Sequence, residues 1–521
     1  MDPIDFSLYL VTDRPLLPPG KAYLETLELA LRGGVTVVQI REKNADTAEF
    51  LQIALDSKAI CDRYNVPLIV NDRIDIALAI NARGVHLGQT DMPIAIARKL
   101  MPKGSIVGIS CNTVDQVYRA RESQADYVGL GAVWDTKTKS LTSPPIGVRG
   151  LGAMLQALDG TNISAVAIGG IKSTNMARLM HGSVSQTNHE LDGVAVVSDI
   201  ISSSDPEKAA SLLKSIFMAY KREAPSAERI SLWSREEIVE ATVTIMNGVR
   251  KLNPLVHQIT NAVVTNQSAN ITLAVGASPI MATAPEEMSD LSKLSGSLLI
   301  NIGTLRGEAL EGMLKGGYFS NAAKNPIILD PVGIGASGFR KDFVNRLLDT
   351  WQPTVIKGNA GELAALMGST EAASKGVDSV GGFKDPISFV KQLARKERCV
   401  ILLTGETDYI SDGHRVILVK NGDPLLGKIT GSGCMLGSCI AAFCATENTL
   451  ATEDPEGKLT RGGDFVLATV SAVLVMTIAA EIAAERQDVH GIGTFLPALI
   501  DKVAALQPED IRRLARVDEV S

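Results

Sequence analysis

Six cysteines in 521 residues, at positions 61, 111, 399, 434, 439 and 444, include no Cys-x-x-Cys pair, and no histidine stands at ligand spacing from them. That excludes zinc-ribbon and disulfide-scaffold classes and predicts a reduced, cytoplasmic chain. A basic segment followed by an apolar core is missing from "MDPIDFSLYLVTDRP", so no secretory leader is expected. Long apolar runs are scarce too. The most membrane-like, "FVLATVSAVLVMTIAA" (465–480), is bracketed by Asp464 and Glu481. It falls short of the roughly 18 apolar residues a span wants, so a buried helix and no membrane partner are expected. No basic run is long enough to track phosphates and the net charge is −7, which argues against nucleic acid as a partner. A Walker A pattern is absent, which disfavours a P-loop kinase. Aromatic residues make up 4%, against 45% apolar residues and 46 glycines, the balance of a glycine-rich α/β enzyme.

The length exceeds one ordinary core and predicts at least two domains. In the first ~220 residues, apolar runs alternate with helical patterns such as 46–63, 113–123 and 206–219. The runs are "SLYLVT", "VTVVQIRE", "PLIVND", "GVHLGQ", "SIVGIS", "YVGLGAV", "SAVAIGG" and "GVAVVSDI". Runs apolar throughout suit strands buried on both faces, hence a parallel sheet. Eight strand–helix units in order favour a closed TIM (β/α)8 barrel over a six-stranded open sheet. The polar piece 181–191 reads as a surface loop. A polar stretch, "KREAPSAERISLW" (221–233), then reads as a linker. We place the boundaries at 1–225, 226–233 and 234–521. The second part alternates long helical segments (234–252, 306–323, 338–350, 384–396, 432–446, 464–485) with short apolar runs. This predicts an α/β layer fold on a mostly parallel sheet, with a terminal hairpin at 408–419.

In a barrel, chemistry belongs where the strands end. Those ends carry Gln39, Arg41 and Lys43, then Asn71 and Asp72, Asp91, Ser110, Thr136, Thr138 and Lys139, and finally Gly170, Val197 and Ser198. Two carboxylates with cations and hydroxyls suit a magnesium–diphosphate site, because Mg2+ takes carboxylate and phosphate oxygens together. Taken singly, Asp72 could cap a helix, and Arg41 and Lys43 could be rim salt bridges. These motifs ("QIREK", "ND", "HLGQTD", "GIS", "GLGAVWDTKTK", "AIGGI", "VVS") stand in the order and spacing of thiamine-phosphate synthases, which residues 1–220 resemble. The resemblance implies coupling of an aminopyrimidine-methyl diphosphate with a thiazole phosphate. It implies that Gln39, Arg41, Lys43, Asn71 and Ser110 hold the pyrimidine diphosphate and that Asp72 and Asp91 hold Mg2+. Thr136, Thr138, Gly170, Val197 and Ser198 would take the thiazole phosphate, and Lys139 the leaving diphosphate. Arg41 and Lys139 are thereby the catalytic cations. Asn112 and Ala132 depart from residues common in that family.

The second part holds "KITGSGC" (428–434), a glycine turn before an apolar helical run. A helix N-terminus behind such a turn is an anion site. With "PLVHQITNAVVTNQSANITLAVGASPIM", "NIGTL", "ILDPVGIGASGFR", "IKGNAGEL" and "LLTGETDYISDG" it resembles the hydroxyethylthiazole kinases of the ribokinase-like group over 235–515. That implies Met281 and Gly431 at the thiazole and Lys357 and Thr404 at ATP. It further implies Asn359 and Glu362 organising Mg2+, Asp330 near the metal-bound phosphates, and Gly431, Ser432 and Gly433 as anion hole. Lys357 replaces an arginine common in relatives. Asn359 and Glu362 could instead form a capping box, and Cys434 could be an inert buried thiol. At a helix N-terminus, however, a lowered thiol pKa is expected, which would let Cys434 act as the kinase base.

Together the resemblances imply a bifunctional enzyme of the fungal thiamine-biosynthesis type, using Mg2+, ATP as co-substrate and small-molecule partners. Kinases of this type commonly form trimers, so a homo-oligomer, trimer or hexamer, is expected. A pyrimidine-alcohol kinase in the second part is an alternative, disfavoured by "PLVHQITN…GASPIM". A regulatory protein that senses thiamine phosphates is another, disfavoured by intact Asp72, Asp91 and Cys434.

Overall fold

The computed structural model describes residues 4–136, 144–222, 232–369, 373–375, 378–380, 382–452 and 457–520. Thr138 and Lys139, and most of the expected linker, lie outside them. The chain forms two compact units, one covering the first 226 residues and the other nearly all of the remainder.

In the first unit the eight apolar runs become β1 (Leu8–Val11), β2 (Val37–Ile40), β3 (Leu68–Asn71), β4 (Gly84–Leu87), β5 (Ile106–Cys111), β6 (Tyr127–Leu130), β7 (Ser164–Ile168) and β8 (Gly193–Val196). They pair in parallel in chain order and close, Leu8 of β1 lying opposite Val194 of β8. Alternation along each strand feeds two separate cores. Leu8, Leu10, Val38, Ile40 and Val70 pack outward under the helices. Tyr9, Val11, Val37, Ile69, Tyr127, Val166 and Ala195 point inward and fill the barrel. One strand residue is small for a steric reason: a Cβ on Gly108 of β5 would lie 2.1 Å from the Tyr127 ring. The 181–191 segment departs from expectation. It continues helix Ser173–Gly182, buries Ser183 and Ser185, and closes with a bridge between Val184 and Glu190.

The second unit is a three-layer α/β/α fold. Its sheet contains β9 (Leu255–Ile259), β10 (Ser278–Ile280), β11 (Ser297–Asn301), β12 (Ile327–Asp330) and β13 (Val355–Asn359). A small separate hairpin follows, β14 (Ala373–Lys375) with β15 (Asp378–Val380). The main sheet then continues with β16 (Val400–Thr404), β17 (Asp408–Ser411), β18 (Val416–Val419) and β19 (Val517–Val520). The order is β10-β9-β11-β12-β13-β16-β17-β18-β19, parallel as far as β16 and antiparallel beyond. The hairpin therefore does not end the sheet. The C-terminal "VDEV", too short and charged to read as a strand, adds the edge.

Single strands again serve two cores. Leu299 of β11 packs on one face while Leu298 and Ile300 pack on the other. Helix Phe465–Ala484 lies in the first of these layers. Among the described residues it is the one helix long and apolar enough to cross a membrane, and 83% of its most apolar window is buried inside the protein. It is four residues longer than the apolar run in the sequence, yet its role is core: each fully buried Val or Leu contributes about 1.5–3 kcal/mol.

Gly108→Ala should overpack the barrel floor against Tyr127 and destabilise that unit by ~1–3 kcal/mol. In a calorimetric scan the barrel transition should move down while the kinase-like unit's transition stays in place. An unmoved barrel transition would mean that Tyr127 yields freely.

Candidate active sites

Mostly apolar strand interiors concentrate polar groups toward the carboxyl ends, and in the barrel these ends gather around one cavity. Gln39, Arg41, Asn71 and Ser110 line it from β2, β3 and β5. Thr136, Gly170, Val197 and Ser198 line it from the opposite side, with Asn112 and Ala132. Arg41 faces Asp13 at 3.6 Å, and both reach the cavity. Asp72 and Asp91 stand beside the cavity and hydrogen bond to one another. Lys43 Nζ donates to Asp72 Oδ2 at 2.7 Å, while Asp91 Oδ2 accepts from the Gly88 backbone N–H at 2.7 Å. The rim salt bridge is thus real for Lys43, and it falls on one of the two candidate metal ligands.

Two facing carboxylates cannot both ionise freely. Burial works to raise Asp72, but hydrogen bonds from Asp91 and Lys43 hold it below the ordinary carboxylate range. Burial, then Asp72 itself, pushes Asp91 up. Two carboxylates this close, at the rim of a polar cavity, fit a hard dication that would neutralise both. Among the described residues no group of three or more His, Cys, Asp or Glu side chains forms a closed metal cage. A site completed by substrate oxygens is what the two carboxylates suit.

The second unit builds its site the same way. Asn301 ends β11 opposite Asp330, which ends β12. Asn359 ends β13 opposite Thr404, which ends β16. Helix Ser432–Leu450 points its N-terminus at these ends. Its cap is Gly431, at φ 89°, with no side chain capping the first turn. A Cβ on Gly431 would lie 2.5 Å from Val264, so both backbone angle and space require glycine. Beneath the turn, Lys357 Nζ would approach a Gly433 Cβ to 3.2 Å. It donates to Asp330 Oδ1 at 3.0 Å, and Asn301 Nδ2 donates to Asp330 Oδ2 at 2.8 Å. Burial works to lower the Lys357 pKa, but Asp330, then Glu362, hold it above the ordinary lysine value. We treat the pair as ionic because two donors face the carboxylate. The turn thus sits above a buried lysine–aspartate pair.

Asn359 and Glu362 form a capping box: each side chain accepts the other's backbone N–H at 2.9 Å. Glu362 Oε1 also accepts from Gly333. Thr404 Oγ1 donates to the Gly358 carbonyl at 3.3 Å. Met281 directly follows β10, where His257 Nε2 donates to the next carbonyl, Ala282, at 2.9 Å.

Cys434 corrects the sequence reading. Its Sγ lies inside the first turn and accepts from Asn261 at 3.4 Å and Asn301 at 3.2 Å. Burial, reinforced by Asp330, pushes its pKa up to about 11 instead of down. The helix N-terminus loses to desolvation, and the resting sulfur is a thiol. Sequence reasoning missed Asn261 and Asn301, although both stand in quoted motifs. It also missed Arg340, whose guanidinium ties the carbonyls of Ile302, Gly303 and Val332 into one rim.

The chain thus joins a closed barrel with a polar cavity at its strand ends to an α/β layer domain with a glycine turn at a helix N-terminus. Residues 8–200 match the family model for thiamine monophosphate synthase, and residues 246–509 that of the hydroxyethylthiazole kinase family. The chain is 37% identical over 523 residues to the probable thiamine biosynthetic bifunctional enzyme of Schizosaccharomyces pombe, covering 98% of this chain and 96% of that one. It is 36% identical to the thiamine biosynthetic bifunctional enzyme of Saccharomyces cerevisiae, covering 97% and 96%. A hydroxyethylthiazole kinase of Histophilus somni is 44% identical over 272 residues, 52% of this chain and 97% of its own. The chain belongs to the family of thiamine biosynthetic bifunctional enzymes.

Asp408, buried at the start of β17, accepts from Gly405 N–H at 3.0 Å, and burial raises its pKa to about 7. An unfolded aspartate titrates near ~3.9. Between those values the unfolded chain has released a proton that the folded one keeps. Stability should therefore fall as pH rises from about 4 to 7 and remain lowered above that. Asp408→Asn keeps an acceptor for Gly405 and removes the titration. In thermal unfolding across this window the variant should gain on the parent as pH rises. Parallel curves would place the slope on another group.

Proposed function

We propose that this chain carries out two linked steps of thiamine assembly. The second unit phosphorylates 4-methyl-5-(2-hydroxyethyl)thiazole with ATP. The first couples the resulting thiazole phosphate to 4-amino-2-methyl-5-(diphosphooxymethyl)pyrimidine, giving thiamine phosphate and diphosphate. The observation that carries this reading is near full-length likeness to two bifunctional relatives, with a polar site at the carboxyl edge of each sheet. Incubating the full chain with the thiazole alcohol, ATP, Mg2+ and the pyrimidine diphosphate tests it. Thiamine phosphate should appear, and omitting ATP should abolish it unless thiazole phosphate is supplied. Binding without product would identify a sensor instead.

In the barrel, Gln39, Asn71 and Ser110 receive the pyrimidine, and Arg41 and Lys43 face its diphosphate. Thr136, Gly170, Val197 and Ser198 receive the thiazole phosphate. Mg2+ held by Asp72 and Asp91 would supply charge neutralisation to the leaving group. The bond to the leaving oxygen is benzylic in type, next to an electron-rich ring, so it ionises once that charge is met. The thiazole nitrogen already carries its lone pair, and no general base is required. In the kinase unit, Gly431, Ser432 and Gly433 hold the transferring phosphoryl group over Lys357, with Thr404 on the nucleotide side and Met281 against the thiazole. Asn359 and Glu362, through their cap, shape the loop that faces Mg2+ and Asp330. We place the protein in the cytoplasm as a trimer-based oligomer, consistent with its reduced cysteines and its kinase family.

Asp72→Ala and Asp91→Ala should each lower coupling by roughly 10²-fold or more, the scale of a lost electrostatic stabiliser, and leave kinase turnover intact. Coupling at the parent rate in either variant would remove that residue from the metal site.

Phosphoryl transfer is loose, so the attacking alcohol keeps its proton until late and a thiol in the resting state is tolerable. Cys434→Ala should slow the kinase within the ~10²–10⁴ range of a general base. Cys434→Asp, which puts an acceptor at the same helix start, should retain clearly more activity. Single-turnover phosphorylation compares them, and equal rates for Asp and Ala would make Cys434 a packing residue.

A further inference from the structure

The floor of the barrel cavity carries a continuous hydrogen-bond chain that the reaction described above does not use. Gln39 Nε2 donates to the Tyr9 hydroxyl at 2.9 Å, and the Tyr9 and Tyr127 hydroxyls are 2.8 Å apart. Tyr127 meets His86 Nδ1 at 2.8 Å, and His86 Nε2 meets Ser110 Oγ at 2.9 Å. Tyr9 and Tyr127 are 1% and 0% exposed, Gln39 and His86 4% and 8%, so protein groups and not bulk water set the pattern. Both ends of the chain, Gln39 and Ser110, line the cavity.

Proton counting fixes its direction. A phenol has one hydrogen to give. Tyr9 accepts from Gln39, so its own hydrogen goes to Tyr127. Tyr127, having accepted, gives its hydrogen to His86 Nδ1. That nitrogen must be bare, which places the imidazole proton on Nε2, where it is donated to Ser110. Ser110 Oγ has then accepted, and its hydrogen is left for the cavity. At the other end, using Nε2 on Tyr9 leaves Gln39 Oε1 for the cavity.

We propose that this chain, through Tyr9, Tyr127 and His86 as positioning residues, sets the base specificity of the pyrimidine site. It holds Gln39 as an acceptor and Ser110 as a donor. A 4-aminopyrimidine offers the complement, an amino donor beside a ring-nitrogen acceptor. A 4-oxopyrimidine offers the reverse, a carbonyl acceptor beside a ring N–H, and meets an acceptor with an acceptor. For Gln39 to turn its amide, every hydrogen in the chain must reverse together and the histidine must change tautomer. Buried chains resist such a reversal because any half-reversed state leaves a polar group unpaired. The proposal rests on the barrel being the coupling domain.

The full chain serves for the test, with the barrel transition in a calorimetric scan reporting that each variant is folded. The KM of the aminopyrimidine diphosphate is compared with the inhibition constant of its 4-oxo analogue. In Tyr127→Phe and Tyr9→Phe, which each remove one oxygen from a buried ring, the Gln39 amide is released. The preference for amino over oxo should fall at least about tenfold, through a weaker amino substrate and a tighter oxo analogue; sites built to hydrogen bond a substrate discriminate by far more than that. Both constants worsening together, with their ratio kept, would mean a purely structural role and overturn the proposal. The ¹⁵N signature of His86, assigned by its loss in His86→Gln, gives a second readout that needs no variant activity. The Nε2–H tautomer is expected, and an Nδ1–H tautomer reverses the chain and overturns it. If the parent fails to couple at all, the functional reading fails, and the tautomer still decides the direction of the chain.

Discussion

Parallel strands buried on both faces govern everything else in this molecule. Such strands are mostly apolar along their length, because a polar side chain there is desolvated and must find a buried partner, as Gln39, His86 and Lys357 do. Chemistry is thereby confined to strand ends, and parallelism puts all those ends on one edge. The barrel obeys this with β1 to β8 and the layer fold with β9 to β13 and β16. Different closures of the sheet, circular in one unit and open in the other, give the same consequence. Each unit presents one polar edge and has its functional residues spread thinly over many strands.

The two edges meet phosphate differently. In the barrel the charged side chains are paired and partly exposed: Arg41 against Asp13, and Lys43 against Asp72. Pairs of that kind hold weakly and can exchange partners when a diphosphate arrives. In the layer fold the cation is Lys357, locked on Asp330 with both side chains almost wholly buried. A buried pair of this kind is costly to form and hard to rearrange. It lies beneath the Gly431–Gly433 turn, at the helix N-terminus. The ion pairs at the barrel rim are partly exposed, while that of the layer fold is buried.

The fold was legible because period and order suffice for it. Eight apolar runs gave eight strands with ends shifted by only a few residues, and the long helical segments of the second part all formed. What escaped was set by tertiary context. The edge strand Val517–Val520 carries two adjacent acids, Asp518 and Glu519, in four residues, and pairing with β18 makes it a strand. The 181–191 segment looked polar, but its serines are buried against the barrel unit's own structure. At the sites, charged residues at strand ends announced themselves. Tyr9 hid inside an apolar run, and His86 stood in a quoted motif without an assigned task. Neither residue's neighbours adjoin it in sequence: Tyr9 meets Tyr127 across 118 positions. The cysteine error was one of magnitude. A helix N-terminus does lower a thiol, but within a packed first turn beside Asp330 desolvation is the larger effect.

That error bears on how the two units divide the chemical labour. Were Cys434 a thiolate, the kinase would hold a strong nucleophile beside ATP, exposed to oxidation and to metal capture. As a buried thiol receiving hydrogen bonds from Asn261 and Asn301, it is shielded from water. The same asparagine that reaches Sγ also reaches Asp330, so sulfur, carboxylate and Lys357 form one connected group.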